Sequence, residues 1–310
     1  MKEIKVFAPA TVANVACGFD IFGFAVDNPG DEIILKKSNA KGVKILSIEG
    51  DNGRLPLDAE RNTAGIAILK FLEAIGEEGQ GFEMNLKKLM PLGSGLGSSA
   101  ASAVAGVFAA NELMGRPLAQ KELLPFAMEG ERIACGSAHA DNVGPSLMGG
   151  FVVIRSYEPL DIIQLKTPKE LYATIVHPHI EVNTKDARNI LKREISLKNT
   201  ITQMGNVAGL VAGLMLPDYD LISRSLVDVI IEPIRSILIP QFDDVKNAAL
   251  DNGALGCSIS GSGPSMFALS KDLFTANRVG KAMQDGFAKV GIGSECYVSG
   301  INQAGPVVLG

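Results

Sequence analysis

The segment at residues 91–113, PLGSGLGSSAASAVAGVFAANEL, constrains the fold strongly, because a glycine-rich turn opens directly onto a long apolar run. Gly93, Gly95 and Gly97 can adopt backbone conformations that other residues avoid, so successive N–H groups can point towards one anion. A helix predicted over 98–114 adds the unpaired N–H groups and the positive dipole end of its N-terminus. The segment therefore predicts a phosphate-binding loop at the start of a helix.

This loop fits neither of the two common phosphate motifs. The Walker pattern GxxxxGK[ST] requires a lysine after its last glycine, where this chain has Ser98, and the dinucleotide pattern GxGxxG lacks its third glycine. One helix N-terminus contributes only about 0.3–1 kcal/mol towards an exposed charge. A divalent cation is the expected supplement, with the hydroxyl of Ser98 or Ser99 as a ligand. The alternative is that the small residues only allow a helix and a strand to pack closely.

Composition narrows the class of protein. The length of 310 residues favours two domains, and a hydrophobic fraction of 46% allows sizeable cores. A net charge of −5 without a long basic run argues against nucleic acid or a membrane surface as a partner. We expect a cytoplasmic protein, because the N-terminus is not signal-like and the dispersed cysteines indicate buried thiols in a reducing compartment, namely Cys17, Cys135, Cys257 and Cys296.

Hydrophobic periodicity predicts an α+β protein. Helices are predicted over 64–76, 98–114, 200–215 and 220–230. Strands are predicted at 3–8, 31–37, 43–48, 82–86, 150–156, 172–177, 256–260, 265–270 and 295–300. Because the first half is rich in strands and 184–252 is rich in helices, we expect two α+β domains, at residues 1–165 and 166–310.

Three further segments carry polar residues among small ones. They are APATVANVACGFDIFG (8–23), EGERIACGSAHADNVGPSLMGGF (129–151) and the second glycine turn SISGSGPSMFAL (258–269). Each segment alone is a common kind of loop, and a single histidine such as His139 is more often packed or on the surface than catalytic.

Together with the central loop, these segments resemble the superfamily of galactokinase, homoserine kinase, mevalonate kinase and phosphomevalonate kinase, with its three signature segments in order. Within it the sequence is most similar to the homoserine kinases, through APATVANVACGFD, HADN and VNTKDAR. One departure is Cys17, where many members have a proline. The resemblance implies an N-terminal domain like domain 2 of ribosomal protein S5 and a ferredoxin-like C-terminal domain, with the active site in the cleft between them.

The resemblance also implies a site for ATP and Mg²⁺. Ser98 and Glu131 are the implied metal pair, Asn62 and Thr63 are expected near the adenine, and Lys87 or Lys88 could add positive charge. The phosphates are expected to contact Pro91, Leu92, Gly93, Ser94, Gly95, Leu96, Gly97, Ser98, Ser99, Ala100 and Ala101.

For the second substrate, the resemblance implies that Arg188 and Arg235 grip a carboxylate, which suits two guanidinium groups. The matching polar set is Asn14, Asp20, His139, Asp141 and Asn142. An amide cannot act as a base, so we expect direct attack by the substrate hydroxyl, held in line by Asn142 and Asp20. Asp141 adjoins Asn142 and is the competing candidate for a base.

The leading interpretation is ATP-dependent phosphorylation of L-homoserine to O-phospho-L-homoserine, a step of threonine biosynthesis. The alternatives are another small-molecule kinase of the superfamily, such as a mevalonate-type enzyme, and a nucleotide-binding sensor without catalysis. A dinucleotide-dependent oxidoreductase is weaker, because the glycine spacing is wrong. Homoserine and ATP are the expected partners, with neither nucleic acid nor membrane. The sequence leaves the oligomeric state open, and a homodimer is the assembly to test.

Overall fold

The structure is a computed structural model that describes residues 2–136, 139–192 and 194–309, and the side chains of residues 134 and 135 lie outside the description. Its strands are β1 (Glu3–Ala13), β2 (Phe22–Ser38), β3 (Gly42–Glu49), β4 (Gly81–Lys87), β5 (Phe151–Tyr157), β6 (Leu160–Leu165), β7 (Tyr172–Pro178), β8 (Gly256–Ile259), β9 (Met266–Ser270), β10 (Ser294–Gly300) and β11 (Val307–Leu309).

The α-helices are α1 (Thr63–Ala74), α2 (Ser98–Leu113), α3 (Leu124–Cys135), α4 (Ala140–Met148), α5 (Thr184–Asn189), α6 (Leu197–Met215), α7 (Tyr219–Ser225), α8 (Glu232–Arg235), α9 (Phe242–Asp251) and α10 (Leu273–Ala288). Short 3-10 turns occupy Ala59–Arg61, Gln120–Leu123 and Ser236–Leu238. No helix in the described ranges combines the length and the apolar character needed to cross a membrane.

The larger sheet has seven strands, with the order β11-β1-β2-β4-β3 and with β5 and β6 joined to β2. The long strand β2 serves two neighbours, since Phe22 pairs with Val153 of β5 while Glu32 pairs with Lys87 of β4. Only β3 and β4 run parallel among the described pairs. Helix α2 packs against β1, β2, α1 and α3. Small and apolar residues lie on all sides of this helix, so it is buried almost throughout. It places the glycine loop at the edge of the core.

The smaller sheet is antiparallel, with the order β10-β7-β9-β8. In chain order its first strand lies between the third and the fourth, which is the arrangement of a ferredoxin-like β-α-β-β-α-β unit. The two sheets share one core, because Phe24 of β2 stacks on Phe151 and meets the edge of Phe267 of β9, with ring centroids 4.6 and 5.9 Å apart.

Every predicted strand corresponds to an observed one, but the end of one predicted helix was wrong. The helix predicted over 220–230 ends at Ser225, because Asp228 accepts hydrogen bonds from the N–H groups of residues 230–232 and turns the chain before α8. The division of the chain after residue 165 stays a prediction, and residue 165 is the last of β6. However, β11 returns to the first sheet and pairs with β1 (Val6 with Val308), so the last residues do not belong to the second sheet.

The expected burial of the thiols is confirmed for two cysteines. Cys17 and Cys257 are buried, and burial raises the pKa of each thiol to about 12. Cys296 is only half-buried, and the side chain of Cys135 lies outside the description.

Candidate active site

A cavity of about 270 Å³ is lined by residues from both halves of the chain. The glycine loop, the 13–20 segment and the start of α4 line it from one side, and α5, Arg235 of α8 and the second glycine turn line it from the other. Most of the predicted site residues meet here, namely Asn14, Asp20, Thr63, Leu92, Gly93, Ser94, Gly95, Leu96, Gly97, Ser98, Ser99, Glu131, His139, Asp141, Asn142, Arg188 and Arg235.

The glycines of the loop are required by its geometry. Gly93, Gly95 and Gly97 all have positive φ, at 70°, 77° and 68°. A Cβ atom on Gly97 would lie 2.1 Å from Thr11 Oγ1, and one on Gly95 would lie 2.5 Å from the carbonyl oxygen of Ser260. Gly97 is also the N-cap residue of α2 and has no side chain to cap it, so the N–H groups of the first turn are donors for a ligand.

The second glycine turn fixes the loop from the other domain. Ser260 Oγ donates to the carbonyl oxygen of Gly95 at 2.7 Å, and the N–H of Ser265 donates to the carbonyl oxygen of Ser94 at 3.2 Å. Asn14 Nδ2 donates to the carbonyl oxygen of Gly261 at 2.7 Å. Three segments predicted separately from the sequence therefore form one site. The side chain of Asn14 positions the backbone there, since its Oδ1 also accepts from the N–H of Asp20.

The two serines that begin α2 have different partners. Ser99 Oγ donates to Glu131 Oε2 at 2.8 Å, whereas Ser98 Oγ donates to the buried Asp31 Oδ2 at 3.1 Å. In this structure Ser99 therefore supplies the hydroxyl beside Glu131, whereas the metal role expected for Ser98 with Glu131 stays a prediction. One carboxylate and one hydroxyl fit a magnesium ion, which prefers oxygen ligands and takes the rest from phosphates and water.

The two lysines predicted to add positive charge near the loop differ in their surroundings. Lys87 is exposed, and the buried Lys88 forms an ion pair with Asp31. Lys88 Nζ also donates to the carbonyl oxygen of Ser98 at 2.8 Å and to Ser102 Oγ at 2.6 Å. These three contacts match the three protons of the ammonium group, so Lys88 anchors the first turn of α2.

Asp20 and Arg188 meet across the cavity. Arg188 Nη2 lies 2.7 Å from Asp20 Oδ1 and 3.0 Å from Asp20 Oδ2. Arg235 is buried; its Nε donates to the carbonyl oxygen of Ala187 at 2.9 Å. Burial, together with the nearby charge of Arg188, lowers the pKa of Arg235 to about 10. The cavity thus offers one carboxylate and two guanidinium groups at short range.

Asp141 is an isolated buried carboxyl in the same cavity. It is 3% exposed, and its Oδ1 has no hydrogen-bond partner among the described residues. Burial, reinforced by the negative charges of Asp20 and Glu131, raises the pKa of Asp141 to about 7. Burial likewise lowers the pKa of His139, whose Nδ1 lies 3.9 Å from Asp20 Oδ1. His139 is therefore a poor source of positive charge at neutral pH.

Asn142 is oriented by a neighbour on β1. Thr11 Oγ1 donates to Asn142 Oδ1 at 2.7 Å, which directs the amide nitrogen to act as the donor for a ligand. The side chains of Thr11 and Asn142 both lie close to Gly97, so the amide group of Asn142 is directly beside the glycine loop.

Some predicted residues do not line the cavity, and some lining residues were not predicted. Asn62 caps α1, accepting from the N–H groups of Ala64 and Gly65 and donating to the carbonyl oxygen of Pro56. The predicted residues absent from the lining are Asn62, Pro91, Ala100 and Ala101. The unpredicted lining residues include Phe19, Leu55, Thr184 and Ser262. Phe19 carries a usable sequence signal, because an aromatic residue between Gly18 and Asp20 in a polar loop has no obvious core to enter.

Comparison with family models gives two matches. Residues 62–150 match the N-terminal domain of the GHMP kinases, and residues 210–289 match the GHMP kinase C-terminal domain.

Curated relatives match over the whole chain. A homoserine kinase of Chlorobium phaeobacteroides is 54% identical over 100% of this chain and 100% of its own length. A homoserine kinase of Xanthomonas campestris is 40% identical over 97% of this chain and 92% of its own length.

Solved structures of homoserine kinase and of mevalonate kinase are also similar to this chain. The homoserine kinase of Cytophaga hutchinsonii superposes with a TM-score of 0.98 at 64% identity, covering 100% of this chain and 98% of that one. A mevalonate kinase of L. major, solved with R-mevalonate, has a TM-score of 0.72 at 16% identity and covers 96% of each chain, which shows a shared fold only.

Proposed function

The chain belongs to the homoserine kinases of the GHMP kinase family, and we propose that it transfers the γ-phosphoryl group of ATP to the side-chain hydroxyl of L-homoserine. The product is O-phospho-L-homoserine, an intermediate of threonine biosynthesis. The relatives that share most of the sequence over full length are homoserine kinases, whereas the mevalonate kinases share the fold at much lower identity.

The observation that carries the proposal is the charge arrangement beside the glycine loop. Homoserine is a zwitterion, so its site needs an anion for the ammonium group and cations for the carboxylate. Asp20 and Arg188 face each other at 2.7 Å. Arg235 lies nearby, and both arginines contact the phenyl ring of Phe19. A zwitterion that enters between Asp20 and Arg188 replaces one ion pair by two, with its ammonium on Asp20 and its carboxylate on both guanidinium groups.

The nucleotide phosphates belong against the N–H groups of 93–97 and the first turn of α2. Glu131 and Ser99 would hold Mg²⁺ at that position, and the bound ion would neutralise phosphate charge. Thr63 lines the cavity and stays a candidate contact for the adenine. Asn62 would affect the adenine site through α1, the helix whose N-terminus it caps.

Asn142 is the residue proposed to orient the attacking hydroxyl. Its amide nitrogen donates to the hydroxyl oxygen, while Thr11 fixes the amide plane. Asp20, the other residue expected to hold the hydroxyl in line, also binds the ammonium group in this arrangement. The bond between Pγ and the β-phosphate oxygen breaks as the hydroxyl oxygen bonds to Pγ, and a loose transition state lets the hydroxyl proton leave to a phosphoryl oxygen.

A substrate panel tests the function. Purified protein with ATP and Mg²⁺ is given L-homoserine, mevalonate, galactose or shikimate, and ADP release is followed. We expect release with homoserine only, and the Glu131→Gln variant, made in parallel, reveals any contaminating kinase. Faster turnover of mevalonate would support the mevalonate-type alternative. ATP binding without ADP release on any hydroxy amino acid would support the sensor.

Two further predictions from the sequence belong to this proposal. A homodimer is tested by sedimentation equilibrium of the purified protein. A cytoplasmic location is tested by fractionation of the producing cells.

A further inference from the structure

The ring of Phe19 contacts both arginines of the substrate cavity. The guanidinium carbon of Arg188 is 5.4 Å from the centroid of its ring, and that of Arg235 is 4.9 Å away. Both distances fall in the range of cation–π attraction. The next residue, Asp20, binds Arg188 through its carboxylate. Two consecutive residues of one loop therefore hold Arg188, one by its ring and the other by its charge.

The two guanidinium groups need such support, because they repel each other. Water screens this repulsion poorly, because Arg235 is only 3% exposed. Its hydrogen bonds are to neutral acceptors, the carbonyl oxygens of Ala187 at 2.9 Å and of Gly261 at 3.3 Å. The negative face of an aromatic ring attracts both cations without forming a competing ion pair.

Phe19 also borders a second cavity. This cavity has a volume of about 460 Å³, and its lining is almost entirely apolar. Ile21, Met204 and Ile231 are among its lining residues. Phe19 thus lines both a polar cavity and an apolar one.

We propose that Phe19 is a positioning residue for carboxylate recognition, holding Arg188 and Arg235 at the spacing at which both can bind one carboxylate. By this role it sets the preference for an α-amino acid over an amino alcohol that lacks the carboxylate. The inference rests on the proposed function, because it concerns the carboxylate of homoserine.

The test compares Phe19→Leu, which keeps apolar volume without a ring face, with Phe19→Tyr, which keeps the ring. For each we measure the KM for homoserine, the KM for ATP, kcat, and the inhibition constant of 3-aminopropan-1-ol, which is homoserine without its carboxylate. Phe19→Leu should raise the KM for homoserine about 10-fold, as expected for the loss of two cation–π contacts. The KM for ATP and the inhibition constant of the amino alcohol should change less than about twofold, and Phe19→Tyr should restore the KM for homoserine.

Three results separate the possibilities. If the wild-type protein does not phosphorylate homoserine, the proposed function fails. If it does, but Phe19→Leu weakens the binding of homoserine, ATP and the amino alcohol alike, Phe19 is only a structural residue and the inference is wrong. An unchanged KM for homoserine in Phe19→Leu also overturns it. Thermal unfolding checks each variant, and Phe19→Met replaces Phe19→Leu if the latter does not fold.

Discussion

Ser99 Oγ donates to Glu131 Oε2 at 2.8 Å, while its neighbour Ser98 turns the other way and donates to Asp31. Successive residues at the start of a helix point about 100° apart, and here the two hydroxyls have different partners although both residues line the cavity. The hydroxyl of Ser98 is used inside the protein, where the ion pair of Asp31 with Lys88 fixes the first turn of α2.

The first prediction separates the two serines. Ser99→Ala should weaken the metal site and raise the Mg²⁺ concentration for half-maximal activity by about 10-fold or more, in the range known for the loss of a group that supports a metal site. Mn²⁺ binding in the presence of ADP, followed by electron paramagnetic resonance, measures the same effect without turnover.

Ser98→Ala is the matched control. It should leave Mn²⁺ binding within about threefold and lower the free energy of unfolding by about 1 kcal/mol, since it removes one buried hydrogen bond. The opposite pattern, with Mn²⁺ binding lost in Ser98→Ala and kept in Ser99→Ala, would restore Ser98 as the metal ligand.

The second prediction concerns Asp141 and the chemical step. A pKa raised to about 7 is what a general base would need, so the pKa alone does not decide the role. We expect Asp141→Asn to raise the KM for homoserine about 10-fold or more and to leave kcat within about threefold, because this carboxyl binds the substrate without taking the hydroxyl proton. A fall in kcat of about 100-fold or more at saturating homoserine would instead make Asp141 the base.

A third prediction follows from the same pKa and concerns stability. The carboxyl of Asp141 ionises near its ordinary 3.8 in the unfolded chain, but it keeps its proton up to about 7 in the folded protein. The folded state therefore binds more protons between these values, and this contribution to stability is lost as the pH rises from about 4 to 7. Asp141→Asn removes the ionisation, so its free energy of unfolding relative to wild type should increase over this interval by up to about 4 kcal/mol.

Urea unfolding of both proteins in the absence of ligands, at pH 4.5 and 8, measures that difference. A constant difference between the two pH values would mean that Asp141 is ionised normally in the folded state.

The buried pair of Lys88 and Asp31 supplies the fourth prediction. Removing one partner leaves an unpaired buried charge, so Lys88→Met should lower the free energy of unfolding by about 3–5 kcal/mol. The double variant with Asp31→Asn should recover part of that loss, because no charge remains buried. As the control, Asp285→Asn breaks the exposed pair with Lys281 and should have little effect. A Lys88→Met protein as stable as this control would show that the pair does not anchor α2.

Local patterns predicted nine of the strands, because each depends on a short stretch of sequence, whereas the convergence of the signature segments was implied by the family resemblance and β6 was not predicted. Helix α4 was not predicted, since it contains Gly144 and Pro145, and its burial in the tertiary structure outweighs that composition. Strand β11 was missed because its three residues form a strand only by pairing with β1, about 300 positions earlier in the chain.

Side-chain partners were the least predictable part of the site. The resemblance implied Ser98 as a metal ligand, but the hydrogen bond that Ser98 makes in this structure is to Asp31, which lies on another element. Asp20 and Arg188 were both predicted to bind substrate, yet their pairing joins residues separated by 168 positions and follows from the closure of the two halves around the cavity. No local pattern contains that information.

The most direct test of how this cavity binds its substrates is a crystal structure with a non-hydrolysable ATP analogue, Mg²⁺ and L-homoserine. We predict the β-phosphate against the N–H groups of Gly95 and Gly97, the cation beside Ser99 and Glu131, and the homoserine carboxylate on Arg188. A β-phosphate far from the glycine loop, or homoserine bound while Asp20 and Arg188 stay paired and neither touches it, would contradict the proposed site.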